Sequence, residues 1–189
     1  MLTPGKLRIV AGHLRGSRLA VPDVPGLRPT PDRVRETLFN WLAPVIEGAR
    51  CLDLYAGTGA LGIEALSRGA RECTFVERDR TLAKLLRENL ARLKVEAARV
   101  IETDALAMLA RTGEPFDVVF LDPPFGESLW EASAHALENG WIAASGWIYV
   151  ESPVDAAFAL PSSWSLHREG RAGAVHYALY RRAAADPLS

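Results

Sequence analysis

The run DPPF, residues 122–125, places an acid, two prolines and an aromatic ring directly after an apolar segment, FDVVFL. The apolar segment is typical of a buried strand. Because proline has no N–H and fixes its own φ, Pro123 and Pro124 should end that strand abruptly and hold Asp122 and Phe125 on a stiff loop. A lone Asp-Pro commonly marks only a turn, so the chemistry of this loop depends on what the fold brings near it.

A glycine-rich segment, DLYAGTGALG, joins an earlier predicted strand to a helix. Gly57, Gly59 and Gly62 satisfy the G-x-G-x-x-G pattern in the strand–turn–helix context that the pattern requires. Glycines at such a turn let the backbone pass close to a ligand. The segment therefore predicts a ligand site, with further candidate contacts at Tyr55, Ala56 and Thr58.

Acidic side chains end three consecutive predicted strands, at Asp53, Glu77 and Asp104. Ligands of doubly wound sheets bind at the carboxyl ends of the strands, which lie at one edge. Glu77 follows Gly57 by 20 residues, the position from which a carboxylate can accept hydrogen bonds from both hydroxyls of a ribose. Asp104 could accept from an adenine amino group. The acids therefore predict a ligand that contains a nucleoside.

Each of these acids also has an alternative, purely structural role. An Asp beside the glycine loop can anchor that loop, and an Asp before a helix can cap it. The alternatives are loop anchoring for Asp53, pairing with Arg78 or Arg80 for Glu77, and capping of the helix that begins at Ala105 for Asp104.

Two classes of nucleoside cofactor fit this pattern. A dinucleotide would place its pyrophosphate on the N-terminus of the helix. S-adenosylmethionine has a ribose and an adenine but carries an ammonium and a sulfonium in place of phosphates. Asp53, four residues before Gly57, favours the cationic ligand, because its carboxylate would repel a pyrophosphate.

The fourth strand ends at the same edge of the sheet, so the DPPF loop should face this ligand. The lone pair of an exocyclic amine on a nucleobase is delocalised into the ring, which makes the amine a poor nucleophile. A carboxylate on one N–H (Asp122) and a backbone carbonyl on the other (Pro123) would localise that lone pair, and Phe125 could stack on a base flipped out of its helix. These residues predict methyl transfer to nitrogen without a metal, with Asp122 or water taking the proton.

Strand-like and helix-like segments alternate from residue 50 onward. CLDLYA, CTFVER, ARVIET and FDVVFLD are near-continuous apolar runs, as expected of parallel strands that are covered on both faces. GWIYVE and two late strands near WSLHREG and AVHYALYRR complete the set, with a turn predicted at REGRAG. The pattern predicts a doubly wound, mostly parallel seven-stranded α/β sheet with an antiparallel edge strand.

A hairpin and a helix are predicted ahead of this sheet. LRIVAGHLRGSRLAV, residues 7–21, indicates two short strands around a glycine-containing turn. The helix is predicted over residues 30–48, with Thr30 as N-cap, Pro31 at the first helical position and Gly48 at its end. We accordingly divide the chain into a basic hairpin extension, residues 1–29, and a main domain, residues 30–189.

The charge distribution is uneven although the formal net charge is −1. Residues 1–40 contain seven Lys or Arg against three Asp or Glu, whereas Arg111 is the only basic residue within 100–160. A basic end on a near-neutral protein favours a polyanionic partner, and a solvated charged surface is the alternative. RNA binding does not account for the acidic stretch.

Composition and residue spacing exclude several other classes of protein. No apolar run reaches the roughly 18 residues of a membrane helix, and no signal peptide opens the chain, so we expect a cytoplasmic protein. Cys51 and Cys73 lie within apolar runs and are expected to be reduced core residues. No metal is expected, because metal-ligand spacing is missing from the four histidines, His13, His135, His167 and His176.

The motifs together resemble a known family. DLYAGTGALGIEAL, FVERD, TDA and DPPF are similar to the Class I methyltransferases that modify exocyclic amines. RIVAGHLRGSRLAVP and RPTPDRVRETLFNWL narrow the resemblance to the small bacterial 16S rRNA guanine-N2 methyltransferases, which act on guanine 966 in the usual rRNA numbering. The resemblance extends from about Arg8 to Tyr180, nearly the whole chain.

The resemblance implies a Rossmann-like methyltransferase domain over 30–189, S-adenosylmethionine as cofactor, and an RNA-binding role for residues 1–29. The implied substrate is 16S rRNA within the small ribosomal subunit or its assembly intermediate, and a monomer is expected. It assigns catalysis to Asp122, Pro123, Pro124 and Phe125, and cofactor binding to Asp53, Tyr55, Ala56, Gly57, Thr58, Gly59, Glu77, Arg78, Asp104 and Ala105. The implied RNA contacts are Arg8, His13, Arg15, Arg18, Arg33 and Arg35.

Other functions remain compatible with parts of the sequence. A DNA or RNA methyltransferase that acts on adenine N6, or on another rRNA guanine, would share DPPF, although the DNA enzymes usually carry a separate target-recognition domain. A dehydrogenase would leave Asp53 and DPPF without a role, since glycine motifs alone do not separate these folds. A non-catalytic RNA-binding protein would be marked by loss of Asp122 or of the glycine loop, and both are present.

Overall fold

The computed structural model describes residues 5–184, in which strands and helices alternate along most of the chain. The strands are β1 (Lys6–Arg8), β2 (Arg18–Ala20), β3 (Arg50–Asp53), β4 (Glu72–Glu77), β5 (Ala98–Glu102), β6 (Phe116–Leu121), β7 (Ile142–Pro153), β8 (Trp164–Ala172) and β9 (Val175–Arg182). The helices are α1 (Asp32–Leu42), α2 (Ala60–Ser67), α3 (Arg80–Arg92), α4 (Ala105–Leu109) and α5 (Trp130–Leu137).

The main sheet has seven strands in the order β5-β4-β3-β6-β7-β9-β8. Strands β5, β4, β3, β6 and β7 pair in parallel, and β9 is antiparallel to both β7 and β8. The predicted fold class is therefore confirmed, but the antiparallel strand lies one place in from the edge. Strand β8 forms the edge because β9 pairs with β7 on one side and with β8 on the other, across a hairpin turn at Gly173. The strand order reverses between β3 and β6, which makes a ligand crevice at their carboxyl ends.

The sheet is covered by an apolar layer on each face. Helices α1, α2 and α3 contribute to one layer, and α4 and α5 to the other. Neighbouring residues of β3 point to opposite layers, Cys51 to the first and Leu52 to the second, as strand geometry requires. Cys51 and Cys73 are buried, which confirms that they are core residues, and they are not bonded to each other. None of the helices within residues 5–184 is long and apolar enough to cross a membrane.

Helix α1 is shorter than the predicted 30–48. It begins at Asp32 and ends at Leu42, and no side chain caps its N-terminus. The prediction of Thr30 as N-cap was wrong because the Thr30 hydroxyl instead donates to Glu151 Oε2, at 2.9 Å, in the buried interior. Pro44, which lacks an N–H, prevents the helix from continuing toward Gly48.

The N-terminal hairpin packs directly on α2. The backbone N–H groups of His13 and Leu14 donate to the carbonyl and hydroxyl oxygens of Ser67, each at 2.9 Å. Gly12 has φ +86°, and a Cβ at this position would lie 1.9 Å from the Ser67 carbonyl oxygen, so only glycine fits. Leu7, Ile9 and Leu19 are part of the first apolar layer. The hairpin thus shares its core with the main sheet, and the division at residues 29 and 30 stays a prediction about function.

Candidate active site

A cavity of about 630 Å³ lies at the carboxyl ends of β3, β4, β5 and β6. Its volume is in the range of sites for small organic ligands. Residues 24–31, between the hairpin and α1, line its remaining side. All but one of the predicted catalytic and cofactor residues line this cavity, Gly59 being the exception: Asp53, Tyr55, Ala56, Gly57, Thr58, Glu77, Arg78, Asp104, Ala105, Asp122, Pro123, Pro124 and Phe125.

The three glycines of the loop serve different purposes. Gly57 and Gly59 have positive φ, +55° and +80°, which turn the chain from β3 into α2. Gly62 instead lies where a Cβ would be 2.3 Å from Cε1 of Phe75 and 2.7 Å from Sγ of Cys73. Its role is close packing of α2 on the sheet, as the third glycine of such loops provides.

Asp53 is buried at the end of β3, with 1% of its surface exposed. Its Oδ2 accepts a hydrogen bond from the Gly62 N–H at 3.1 Å, so the loop-anchoring role is real. Burial raises the pKa of Asp53 to about 8, and the Gly62 bond opposes that rise. Because Asp53 also lines the cavity, a cationic ligand there would favour its ionised form.

The other two acids are likewise held by backbone N–H groups. Glu77 accepts from Gly57 at 2.9 Å and from Asp79 at 3.1 Å, which fastens the glycine loop to the end of β4. Asp104 accepts from the Ala107 N–H at 3.0 Å and caps α4. Each carboxylate oxygen has a second lone pair, so both acids keep acceptor capacity toward the cavity they line.

Two polar contacts connect the cofactor side of the cavity to other parts of its wall. Arg78 pairs with Glu127, which follows the DPPF loop, rather than with Glu77. The Tyr55 hydroxyl and the Ser133 hydroxyl of α5 are 2.6 Å apart. These contacts join the loops that follow β3 and β4 to the segment that follows β6.

The DPPF loop is fixed by aromatic packing. The Phe125 ring lies 6.0 Å from the Trp130 ring, centroid to centroid, at an angle of 52°. The Arg28 guanidinium carbon is 5.7 Å from the Phe125 centroid, so the segment before α1 contacts this ring. Pro123 is buried, whereas Asp122 and Phe125 are partly exposed and line the cavity.

A second carboxyl, Glu151 on β7, adjoins Asp122, and sequence reasoning missed it. Leu121 pairs with Val150, which sets Glu151 beside Asp122 on the neighbouring strand. Glu151 is 4% exposed and lines the cavity. Burial, together with the neighbouring carboxyl, raises the pKa of Asp122 well above its usual range. The available signal was an acid near the end of an apolar strand, the same signal that drew attention to Asp53.

Of the six predicted RNA contacts, Arg35 is the one that does not lie on the surface. Its side chain is fully buried, 3.6 Å from Glu64 Oε1, and it donates to the Thr30 carbonyl and to Asp32. Arg35 joins α1 to α2 because Glu64 offers an interior countercharge, so it is not placed to contact RNA. The five exposed members are Arg8, His13, Arg15, Arg18 and Arg33.

Comparison with known proteins identifies the family. The family model "Conserved hypothetical protein 95" matches residues 7–181. The chain belongs to this family. Ribosomal RNA small subunit methyltransferase D of Escherichia coli K12 is 55% identical over 182 residues, with 95% of this chain and 92% of that protein covered. The protein of the same name from Haemophilus influenzae is 48% identical over 182 residues, with 94% of each chain covered.

A solved structure agrees with the family match. The putative methyltransferase yhhF from Escherichia coli superposes with a TM-score of 0.88 at 52% identity, covering 95% of this chain and 99% of that one. The resemblance inferred from the sequence motifs is therefore confirmed at the level of the family. The α/β sheet, the cavity at its carboxyl edge and the DPPF loop belong to a methyltransferase fold.

Proposed function

We propose that this protein transfers a methyl group from S-adenosylmethionine to the exocyclic N2 amine of a guanine in 16S rRNA, guanine 966. The observation that carries the proposal is the joint opening of the DPPF loop and the glycine loop into one cavity. Support for the RNA comes from the relatives named ribosomal RNA small subunit methyltransferase D and from the exposed basic residues of the N-terminal extension.

The residues that line the cavity fit S-adenosylmethionine better than a dinucleotide. Three carboxylates, Asp53, Glu77 and Asp104, face a cofactor that is cationic and rich in hydroxyl and amino donors. A pyrophosphate would meet the buried Asp53 within the same loop. We assign the ammonium to the Asp53 side of the cavity, the ribose hydroxyls to Glu77 and the adenine amine to Asp104. When bound, S-adenosylmethionine supplies an electrophilic methyl carbon whose bond electrons remain on sulfur.

The chain's own residues prepare the amine to receive that carbon. Asp122 and the Pro123 carbonyl oxygen each accept one N–H of the amine, which directs the nitrogen lone pair away from the base ring. Because both acceptors are fixed before the base arrives, no reorganisation is needed during the reaction. Phe125 offers a face for stacking of the base, and the nitrogen releases one proton as its new bond to carbon forms.

The test uses the wild-type protein, labelled S-adenosylmethionine and two substrates. One is small ribosomal subunits that lack the modification, and the other is naked 16S rRNA. We expect N2-methylguanosine, identified by mass after digestion, from the subunits and not from naked RNA. Labelled adenosine or cytidine would overturn the guanine assignment, and no label on either RNA would overturn the enzymatic proposal. On this proposal the protein acts as a monomer in the cytoplasm, where subunits assemble.

Exposed arginines of the hairpin are proposed to contact rRNA phosphates. Replacement of Arg15 and Arg18 by Ala should reduce the slope of log affinity against log salt for small subunits by about 1.4–1.8, since each lost phosphate contact removes about 0.7–0.9. The matched control replaces Arg168 and Arg171, two exposed residues of the edge strand β8, and should leave the slope unchanged. Equal slopes for the hairpin variant and the wild type would remove the hairpin from the RNA surface.

Replacement of Asp53 by Asn should weaken cofactor binding and stabilise the free protein at alkaline pH. The folded pKa of about 8 lies above the unfolded value near 3.9. Burial of Asp53 therefore costs progressively more stability as pH rises through this interval, and Asn avoids that cost while still accepting from Gly62. We expect a Tm gain of at least about 2–4 °C at pH 9, which corresponds to roughly 1 kcal/mol.

Thermal melts from pH 4 to 9 without cofactor, and calorimetric titration with S-adenosylmethionine, measure the two effects. The Tm difference between Asp53→Asn and wild type should grow with pH, and the affinity should fall about tenfold or more with loss of the carboxylate partner of an ammonium. Parallel Tm curves would contradict the buried ionisation, and unchanged affinity would contradict the assigned ammonium contact.

A further inference from the structure

Within the proposed reaction, we propose that Glu151 is a positioning residue that holds the Asp122 carboxyl against the cavity through a hydrogen bond between the two side chains. This inference rests on the proposed function of the same site. Nothing in the DPPF motif itself requires a second acid. The geometry of three elements that meet behind the loop points to it.

Strand pairing brings the two carboxyls together. Asp122 directly follows Leu121 of β6, and Glu151 directly follows Val150 of β7, the residue paired with Leu121. The two side chains adjoin closely enough that each shifts the pKa of the other, and we assign a hydrogen bond between them. Trp130 Nε1 donates to the Glu151 backbone carbonyl at 2.8 Å and fixes the strand at this point. Asp122 thus lies one residue beyond the last pair of a parallel ladder, opposite a residue that is still within β7.

The far side of Glu151 is fixed as well. The Thr30 hydroxyl donates to Glu151 Oε2 at 2.9 Å, and both side chains are buried. Thr30 precedes α1, in the segment that lines the cavity beside Phe125. Glu151 thus connects Thr30, in the segment between the hairpin and α1, with Asp122, which accepts an N–H of the amine. Removal of its carboxyl would free Asp122 to rotate without altering any cofactor contact proposed above.

The two carboxyls share one proton. Joint ionisation is unfavourable for two adjoining carboxyls in the wall of a cavity, so one proton remains between them. Thr30 influences both carboxyls, but its hydroxyl donates to Glu151 Oε2, and Tyr149 also lowers the pKa of Glu151. Charge is therefore favoured on Glu151, which leaves the proton on Asp122 with its second oxygen free to accept from the amine. The other ionisable groups that influence the pair are Asp53 on β3, Tyr149 on β7 and, through Tyr149, Tyr177 on β9.

Since the pair already holds a proton, the proton released by the amine passes to water. Burial and the Glu151 charge both keep the pKa of Asp122 raised. Glu151→Gln removes that charge while its amide still donates to Asp122 and still accepts from Thr30. The inflection that the titration of Asp122 produces in the pH dependence of kcat should therefore move to lower pH by at least about one unit. The maximal kcat should stay within about threefold of wild type.

Glu151→Ala removes the hydrogen bond altogether. We expect kcat to fall at least tenfold, with KM for S-adenosylmethionine within twofold of wild type, because no proposed cofactor contact is lost. Thr30→Val should lower kcat in the same direction, and Thr30→Ser, which keeps the hydroxyl, should restore it. Recovery of kcat in Thr30→Ser would show that the hydroxyl, which positions Glu151, matters, and not only the packing of the Thr30 side chain.

The measurements are kcat and KM for each variant on small subunits between pH 5.5 and 9.5, with thermal melts of the same samples. An unmoved inflection in Glu151→Gln would overturn the inference even if the Ala variant fails to fold. Equal kcat for Glu151→Ala and wild type at every pH would also overturn it. A wild-type protein without transferase activity would instead contradict the proposed function, so the two failures are distinguishable.

Discussion

Asp122→Ala is expected to lower the single-turnover rate of methyl transfer by at least about 100-fold, the usual cost of removing one preorganised electrostatic contact. The amine would keep one acceptor, the Pro123 carbonyl, and its lone pair would return to conjugation with the base. Cofactor affinity should stay within about twofold, because the proposed cofactor contacts lie on the loops after β3, β4 and β5. A rapid-quench experiment with labelled cofactor, paired with calorimetry, measures both quantities.

The folded state should tolerate this substitution. The pKa of Asp122 is raised by burial and by Glu151, so its ionisation destabilises the fold as pH rises through the folded pKa. Loss of the carboxyl removes that effect, and the Tm at alkaline pH should not fall. Glu131→Ala, at an exposed acid of α5 outside the cavity, is the matched control and should be fully active. Near-normal turnover by Asp122→Ala would overturn the proposed mechanism.

Glu64→Ala should destabilise the protein by about 1–3 kcal/mol or more, because the buried guanidinium of Arg35 keeps Asp32 as a partner but loses its interior one. The guanidinium of Arg35 is fully buried and lies 3.6 Å from Glu64. Glu64 also accepts from the Val10 N–H at 2.8 Å, so the hairpin loses an anchor in the same change. Burial lowers the pKa of Arg35 and raises that of Glu64, against the attraction between the two groups. The pair adds little net stability while intact, but it is costly to break.

Urea denaturation of two further variants distinguishes this cause from a general charge effect. Glu88→Ala breaks the exposed Lys84–Glu88 pair, 4.0 Å apart on α3, and should change the free energy of unfolding by less than about 0.5 kcal/mol. Arg35→Met combined with Glu64→Gln leaves no buried charge, keeps an acceptor for Val10, and should recover much of the loss. A loss below about 1 kcal/mol for Glu64→Ala would contradict the account of this buried pair.

Features of the site that depend on short-range sequence were predictable. The glycine spacing predicted a strand–turn–helix loop, and Gly57 and Gly59 adopt the positive φ that such a loop needs. The DPPF run predicted a stiff loop at a strand end, and this loop lines the cavity beside the glycine loop. In both cases backbone constraints of glycine and proline act over a few residues, so no tertiary contact was needed to recognise them.

Features that depend on partners far along the chain were not predictable. Thr30 satisfies the local rule for an N-cap, but its hydroxyl donates instead to the buried Glu151 on β7. Arg35 lies in a basic segment that resembles an RNA-binding surface, but its side chain is buried in an ion pair with Glu64. The register between β6 and β7 makes Glu151 a neighbour of the DPPF loop. This register depends on both strands together and cannot be inferred from the sequence of one strand.

The bond between Thr30 and Glu151 has a consequence for synthesis of the chain on the ribosome. The two residues are separated by 121 positions, which at about 5–20 residues per second takes roughly 6–24 s to translate. The hairpin can dock on α2 soon after Ser67 emerges, because that contact spans only 54 residues. The surroundings of Asp122, by contrast, stay incomplete until β7 has been made. A nascent chain would thus acquire its basic end early and its reactive site late, so growing polypeptides could touch RNA without modifying it.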